Sequence, residues 1–307
     1  MHPRAASLGF FNSEIAPDKI CNGGSETVCV LIRSMVRTAI LGLAFAGLCL
    51  AEGPRILIVT DMEGISGINN ADEQLLPGQR RYEEARKLLT GEVNAAVQGA
   101  VVAGASEVVV WDGHDGSRIL SVADIHPFAK LLQGSPTPAN FYFSEKRYDG
   151  IIFVGQHPMA GANGVLSHTQ SFTMKRVTIN GKPVGELGQV AAIAGYFDIP
   201  VIMLTGDKAA CEEMIAMQPK AVTVPVKQIM GRASSLSLSH EEATRRIREA
   251  TRTAVSRVKE FSPWKISGPV EMKFEYHPQP PKEREGRIAI YRGQTVLEAY
   301  EDWLGKP

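Results

Sequence analysis

Four short, almost wholly apolar runs most constrain what this chain can fold into: "RILIVT" at 55–60, "SEVVVWD" at 106–112, "GIIFVGQ" at 150–156 and "PVIMLTGD" at 200–207. Runs of this length without polar alternation read as strands buried on both faces. Helix-patterned stretches lie between them. The clearest is 81–103, where Leu88, Val93, Ala96, Val97 and Ala100 fall roughly on one side, and another runs from about Gly185 to Tyr196. Strands that alternate with helices form a largely parallel sheet covered on both faces, with ligand sites at the carboxyl ends of the strands. The fold class is therefore α/β, a three-layer, mostly parallel sheet domain over residues 52–207.

Two regions depart from that rhythm. In "RVTINGKPVGE", 176–186, the Asn180-Gly181 pair is a strong hairpin signal, followed by a helix opening at Gly185 and Glu186. Beyond residue 207 come a helix at 208–217, "AVTVPVK" at 221–227, a polar serine-rich patch at 234–239 and a charged helix at 241–259. Strand candidates at 270–276 and 287–291 and a helix at 295–303 complete the chain, with "HPQPPKERE", 277–285, as a surface loop. Residues 208–307 are accordingly expected to form a smaller α+β C-terminal domain.

The first 51 residues have a different character. Met35-Val36-Arg37 precedes "TAILGLAFAGLCLA", a basic start and an apolar stretch of signal-peptide length ending in small residues. Residues 35–51 are read as a signal peptide and residues 1–34 as a mis-start or disordered segment. The mature chain is then periplasmic or secreted, with a cytoplasmic location as the alternative and no stable membrane insertion after signal removal. Cys21, Cys29 and Cys49 fall in this segment, leaving Cys211 and no intrachain disulfide. The 33 basic and 33 acidic residues cancel, which argues against nucleic acid as a partner.

The chemistry is concentrated at the strand ends. Asp61 and Glu63 stand after the first strand, Asp112, His114 and Asp115 after the second, and His157 after the third; His168 lies in "LSHTQS" and Glu186 opens the helix after the hairpin. Neighbouring strand ends meet at one rim of such a sheet. Asp61, Glu63, His114, His157 and Glu186 make an oxygen and nitrogen set without thiolate, suited to zinc, manganese or another divalent ion. Five ligands exceed what one tetrahedral ion needs, and a bridging Asp61 makes two divalent metal ions plausible. Asp112 or Asp115 is a candidate to orient His114. His126, His240 and His277 read as loop or helix-cap residues outside the site.

The motifs "DMEGISG", "DGH", "GQH", "SHT" and "GKPVGELG" resemble those of the zinc-dependent D-aminopeptidase family, the DppA-like metallopeptidases of dipeptide-transport operons. The resemblance runs from about Arg55 to Leu304 and includes "VTVPVKQ", "PVEMKFEY" and "LEAYEDWL". It implies two Zn2+ ions held by Asp61, which bridges, and by Glu63, His114, His157 and Glu186, with His168 as the catalytic histidine, whether nucleophile, base or oxyanion stabiliser. It also implies short peptides with an N-terminal D-amino acid, D-alanine above all, as substrates, and a ring-like homo-oligomer, a decamer. Two rival readings are another dinuclear metallohydrolase, a phosphoesterase or amidase, for which Lys175 and Arg176 are the nearby basic residues, and a non-catalytic peptide-binding transport component.

Overall fold

The computed structural model describes residues 52–134, 147–231 and 234–305. The mis-start and signal-peptide readings of residues 1–51 lie outside the described residues. Eleven strands are described: β1 Arg55–Thr60, β2 Glu107–Trp111, β3 Ala129–Leu132, β4 Gly150–Gln156, β5 Met174–Ile179, β6 Lys182–Pro183, β7 Val201–Asp207, β8 Val222–Gly231, β9 Ser234–Ser237, β10 Val270–Tyr276 and β11 Ile288–Gly293. The α-helices are α1 Ala71–Gln74, α2 Tyr82–Val102, α3 Glu186–Tyr196, α4 Lys208–Met217, α5 His240–Ser256 and α6 Val296–Leu304.

Seven strands form one sheet in the order β3-β2-β1-β4-β7-β8-β9, parallel throughout except for the β8–β9 pair. The pleat explains the unbroken apolar runs, since successive side chains of β1 enter opposite layers. Ile56 and Ile58 join Leu89, Val93 and Val97 of α2 and Ile247 of α5 on one face. Leu57 and Val59 join Leu187 and Ala191 of α3 and Met214 of α4 on the other. From β1 the chain first builds outward through β2 and β3 and then returns to β4 on β1's other side. That reversal is a topological switch point, where the loops after β1 and β4 diverge and leave a crevice.

The smaller, antiparallel sheet runs β11-β10-β5-β6. Val177, Ile179, Met272 and Phe274 are buried in its core, and Trp303 of α6 stacks on Phe274 at 4.9 Å between ring centres. The expected boundary at residue 207 needs correction. β8, β9 and α5 all lie beyond it yet complete the large sheet, with Met203 of β7 paired to Val222 of β8. The smaller unit is C-terminal only in part, because the β5–β6 hairpin supplies half its strands. The serine-rich patch becomes the edge strand β9 through pairing with β8, which no local propensity announces.

Candidate metal centre

The segment 61–67, "DMEGISG", turns after β1 at close quarters against β4. The Asp61 amide donates to the Val154 carbonyl at 2.8 Å and the Gly64 amide to the Gly155 carbonyl at 2.7 Å. A β-carbon on Gly64 would lie 2.1 Å from the Gln156 carbonyl oxygen, so only glycine allows this approach. Gly155 sits in a β-bulge of β4 at φ +81°, and its own β-carbon would lie 2.0 Å from the Asp61 carbonyl oxygen. The bulge ends β4 so that His157 turns back toward Asp61.

The five expected metal ligands and His168 all converge here. Asp61 Oδ1 lies 3.1 Å from His114 Nδ1, and Asp61 Oδ2 lies 3.2 Å from His157 Nε2. Glu63 Oε2 is 3.0 Å from His114 Nδ1, and Glu186 Oε1 is 3.3 Å from His157 Nε2. His168 Nε2 stands 3.8 Å from Glu63 Oε1 and 3.7 Å from Glu186 Oε1, its ring stacked on His157 at 3.9 Å. Two groups result, Asp61–Glu63–His114 and His157–His168–Glu186, each with its donor atoms close enough to share one ion. Asp61 faces both, with one oxygen toward each histidine.

The protein fixes which nitrogen of each imidazole enters the site. His157 Nδ1 faces the Pro158 carbonyl at 3.0 Å, His168 Nδ1 the Leu166 carbonyl at 2.8 Å and His114 Nε2 the Leu75 carbonyl at 3.2 Å. A carbonyl only accepts, so each of these nitrogens carries a proton and the opposite one is the nitrogen turned into the site. The Gln170 amide donates to Glu186 Oε1 at 2.7 Å, steadying the most exposed of the carboxylates.

Without metal the charges lean on protons. Burial pushes the Asp61 carboxyl up, but the His114 hydrogen bond and the His157 imidazole facing it outweigh that and hold the group well below the carboxylate range. Burial depresses His114, yet the Glu63 charge and its close contacts with both carboxylates push it up to about 11; His157 is likewise raised, by Glu186 and Asp61 against its burial. Glu186 is lowered by the His157 charge despite burial. A divalent ion fits this constellation. Glu63 Oε2 and His157 Nε2 are buried without satisfying hydrogen-bond geometry, and the donor set is the mixed oxygen and nitrogen set that zinc accepts.

The structure rearranges the supporting cast. Asp112 does not orient His114: its Oδ2 accepts from the Ile119 and Leu120 amides at 2.7 and 2.9 Å and from Gln133, tying down the following loop. Asp115 is exposed. His126 bonds Gln98 away from the site, and His240 packs over Gly91, but His277 lines the same cavity as His168. The residue missed in the sequence is Lys227 on β8. Its buried ammonium donates to the carbonyls of Glu63 and Ile68 and so ties both ends of the ligand-bearing turn to the sheet. A lone lysine in the apolar "VTVPVK" was the signal.

Carboxylates and imidazoles gathered at the switch point of a doubly wound sheet define a hydrolase of the metal-assisted class. Residues 55–284 match the family model described as D-aminopeptidase, and the chain belongs to that family of peptidases. It is 36% identical to the D-aminopeptidase of Bacillus subtilis (strain 168) over 210 residues, 68% of this chain and 76% of the relative. Among solved structures it is similar to the Zn-dependent D-aminopeptidase DppA from Bacillus subtilis, a self-compartmentalizing protease. The TM-score is 0.75 at 30% identity, over 81% of this chain and 95% of the other.

Proposed function

We propose that this chain is a zinc-dependent aminopeptidase that hydrolyses short peptides or amides with an N-terminal D-amino acid, D-alanine foremost. Asp61, Glu63, His114, His157 and Glu186 would hold two ions. The observation that carries this reading is Asp61, whose two oxygens face histidines of two separate donor groups at 3.1 and 3.2 Å. Bound divalent ions supply Lewis acidity to a carbonyl and lower the pKa of water. The chain's own work is orientation and proton transfer. His168 commits Nδ1–H to the Leu166 carbonyl, which leaves Nε2 as the nitrogen available to move a proton to the departing amine.

The likeness to a self-compartmentalizing protease supports a homo-oligomer; the arrangement proposed is a ring-like decamer, and sedimentation would report the subunit number. With residues 35–51 as an export signal, the enzyme works outside the cytoplasm on peptides released from cell-wall turnover. The deciding experiment assays D- and L-aminoacyl amides and dipeptides with zinc, manganese or chelator, beside Glu63→Ala and His168→Ala. Chelator should abolish turnover, Glu63→Ala should lose both metal and turnover, and His168→Ala should keep metal while losing turnover. A preparation without bound metal or chelator-sensitive activity would sink the enzyme reading, and full turnover in His168→Ala would sink the role given to that histidine.

A further inference from the structure

His168 is shared between two environments. One ring face stacks on His157 at 3.9 Å, toward the carboxylates; the other stacks on Phe172 at 4.5 Å. On the Phe172 side lies a cavity of about 480 Å³, lined in part by His168, Phe172, Met174, Lys175 and Arg176. That volume falls within the roughly 300–1,000 Å³ of small-molecule sites, enough for the body of a two- or three-residue peptide. Phe172 stays 55% exposed on this wall and so gives the cavity an apolar face beside the polar centre.

The cavity is charged with one sign only. Among the described residues, Lys175 and Arg176 line it and no carboxylate does. Neither makes an ion pair among the described residues, and Glu275, the cross-strand neighbour of Arg176, is engaged by Lys273 at 2.8 Å. Both cations ride on β5, and the β5–β6 hairpin runs directly into Glu186, so the basic pair and a candidate ligand share one continuous element. Resting on the peptidase reading above, we infer that this cavity receives the leaving-group half of the substrate and that Arg176 and Lys175 pair with its C-terminal carboxylate. The enzyme is then selective for short peptides with a free carboxyl end. Arginine suits the task because its planar fork matches a carboxylate with two parallel bonds.

The test compares D-alanyl-glycine with D-alanyl-glycinamide on the zinc-loaded full chain, reading kcat and KM separately. The acid should exceed the amide in kcat/KM by about tenfold, the scale of one charge-assisted hydrogen bond at a partly wet site, mostly through KM. In Arg176→Gln, and further in the Lys175→Gln/Arg176→Gln pair, that ratio should fall toward one, with Arg176→Lys retaining part of it. Equal efficiency on acid and amide in the unaltered protein overturns the carboxylate subsite while leaving the peptidase reading intact. So does a variant that lowers both substrates in step. Hydrolysis of neither compound defeats the peptidase reading itself and the subsite with it. A phosphomonoester run in parallel should be inert, and its turnover would reassign the basic pair to phosphate.

Discussion

Glu92 offers a sharp test of how the core beneath the metal centre is held. It lies on the buried face of α2, fully enclosed; Oε1 accepts from the Ser66 amide at 2.9 Å and Oε2 has no partner. Burial pushes its carboxyl from 4.5 up to about 8, against the Ser66 hydrogen bond and the Lys227 charge, which pull the other way. The folded protein therefore holds a proton between those values that the unfolded chain releases, and stability falls as pH rises through that window. At 1.36 kcal/mol per unit the full loss approaches about 5 kcal/mol. Glu92→Gln keeps the acceptor for Ser66 and stays neutral at every pH. Urea denaturation of metal-free protein at pH 4.5, 6 and 8 should give a variant about as stable as the parent at the lowest pH and progressively more stable above it. Parallel stability profiles for the two proteins would refute the reasoning, because they would mean that the carboxylate ionises without penalty.

The same geometry sets other outcomes. Because His114 and His157 are raised well above neutrality in the metal-free site, zinc binding at pH 7 should expel about two protons, measurable by titration calorimetry in buffers of different ionisation enthalpy. Lys227→Met leaves the Glu63 and Ile68 carbonyls without their donor, which should cost about 2–4 kcal/mol in denaturant melts and weaken zinc binding through the loosened Glu63 turn. Gly155→Ala forces a β-carbon against the Asp61 carbonyl at positive φ, with an expected loss of about 3 kcal/mol or more and a drop in metal content by elemental analysis.

Much of this molecule could be read in one dimension. Strands buried on both faces need unbroken apolar runs, so "ILIV", "VVV" and "IIFVG" disclosed β1, β2 and β4, and the polar residues after them disclosed where the sheet presents chemistry. The spacing of Asp61 and Glu63 and the Asn180-Gly181 turn that delivers Glu186 are likewise local facts, set by backbone geometry. β3 and β9 were missed because an edge strand such as "SSLS" owes its conformation to its neighbour's hydrogen bonds.

What the sequence determined by itself was therefore the alternation of elements and the inventory of metal-capable side chains. Tertiary structure alone decided which of them meet. The order β2-β1-β4 places three strand ends at one crevice, and the pairing of β5 with β10 sets the smaller sheet across the boundary expected at residue 207. It also turned Asp112 into a loop anchor and Lys227 into the clamp on the ligand turn, and it brought Lys175, Arg176 and His277 around the cavity beside His168. Such pairings depend on packing and hydrogen bonds between residues distant in the chain, to which local propensity and spacing are blind.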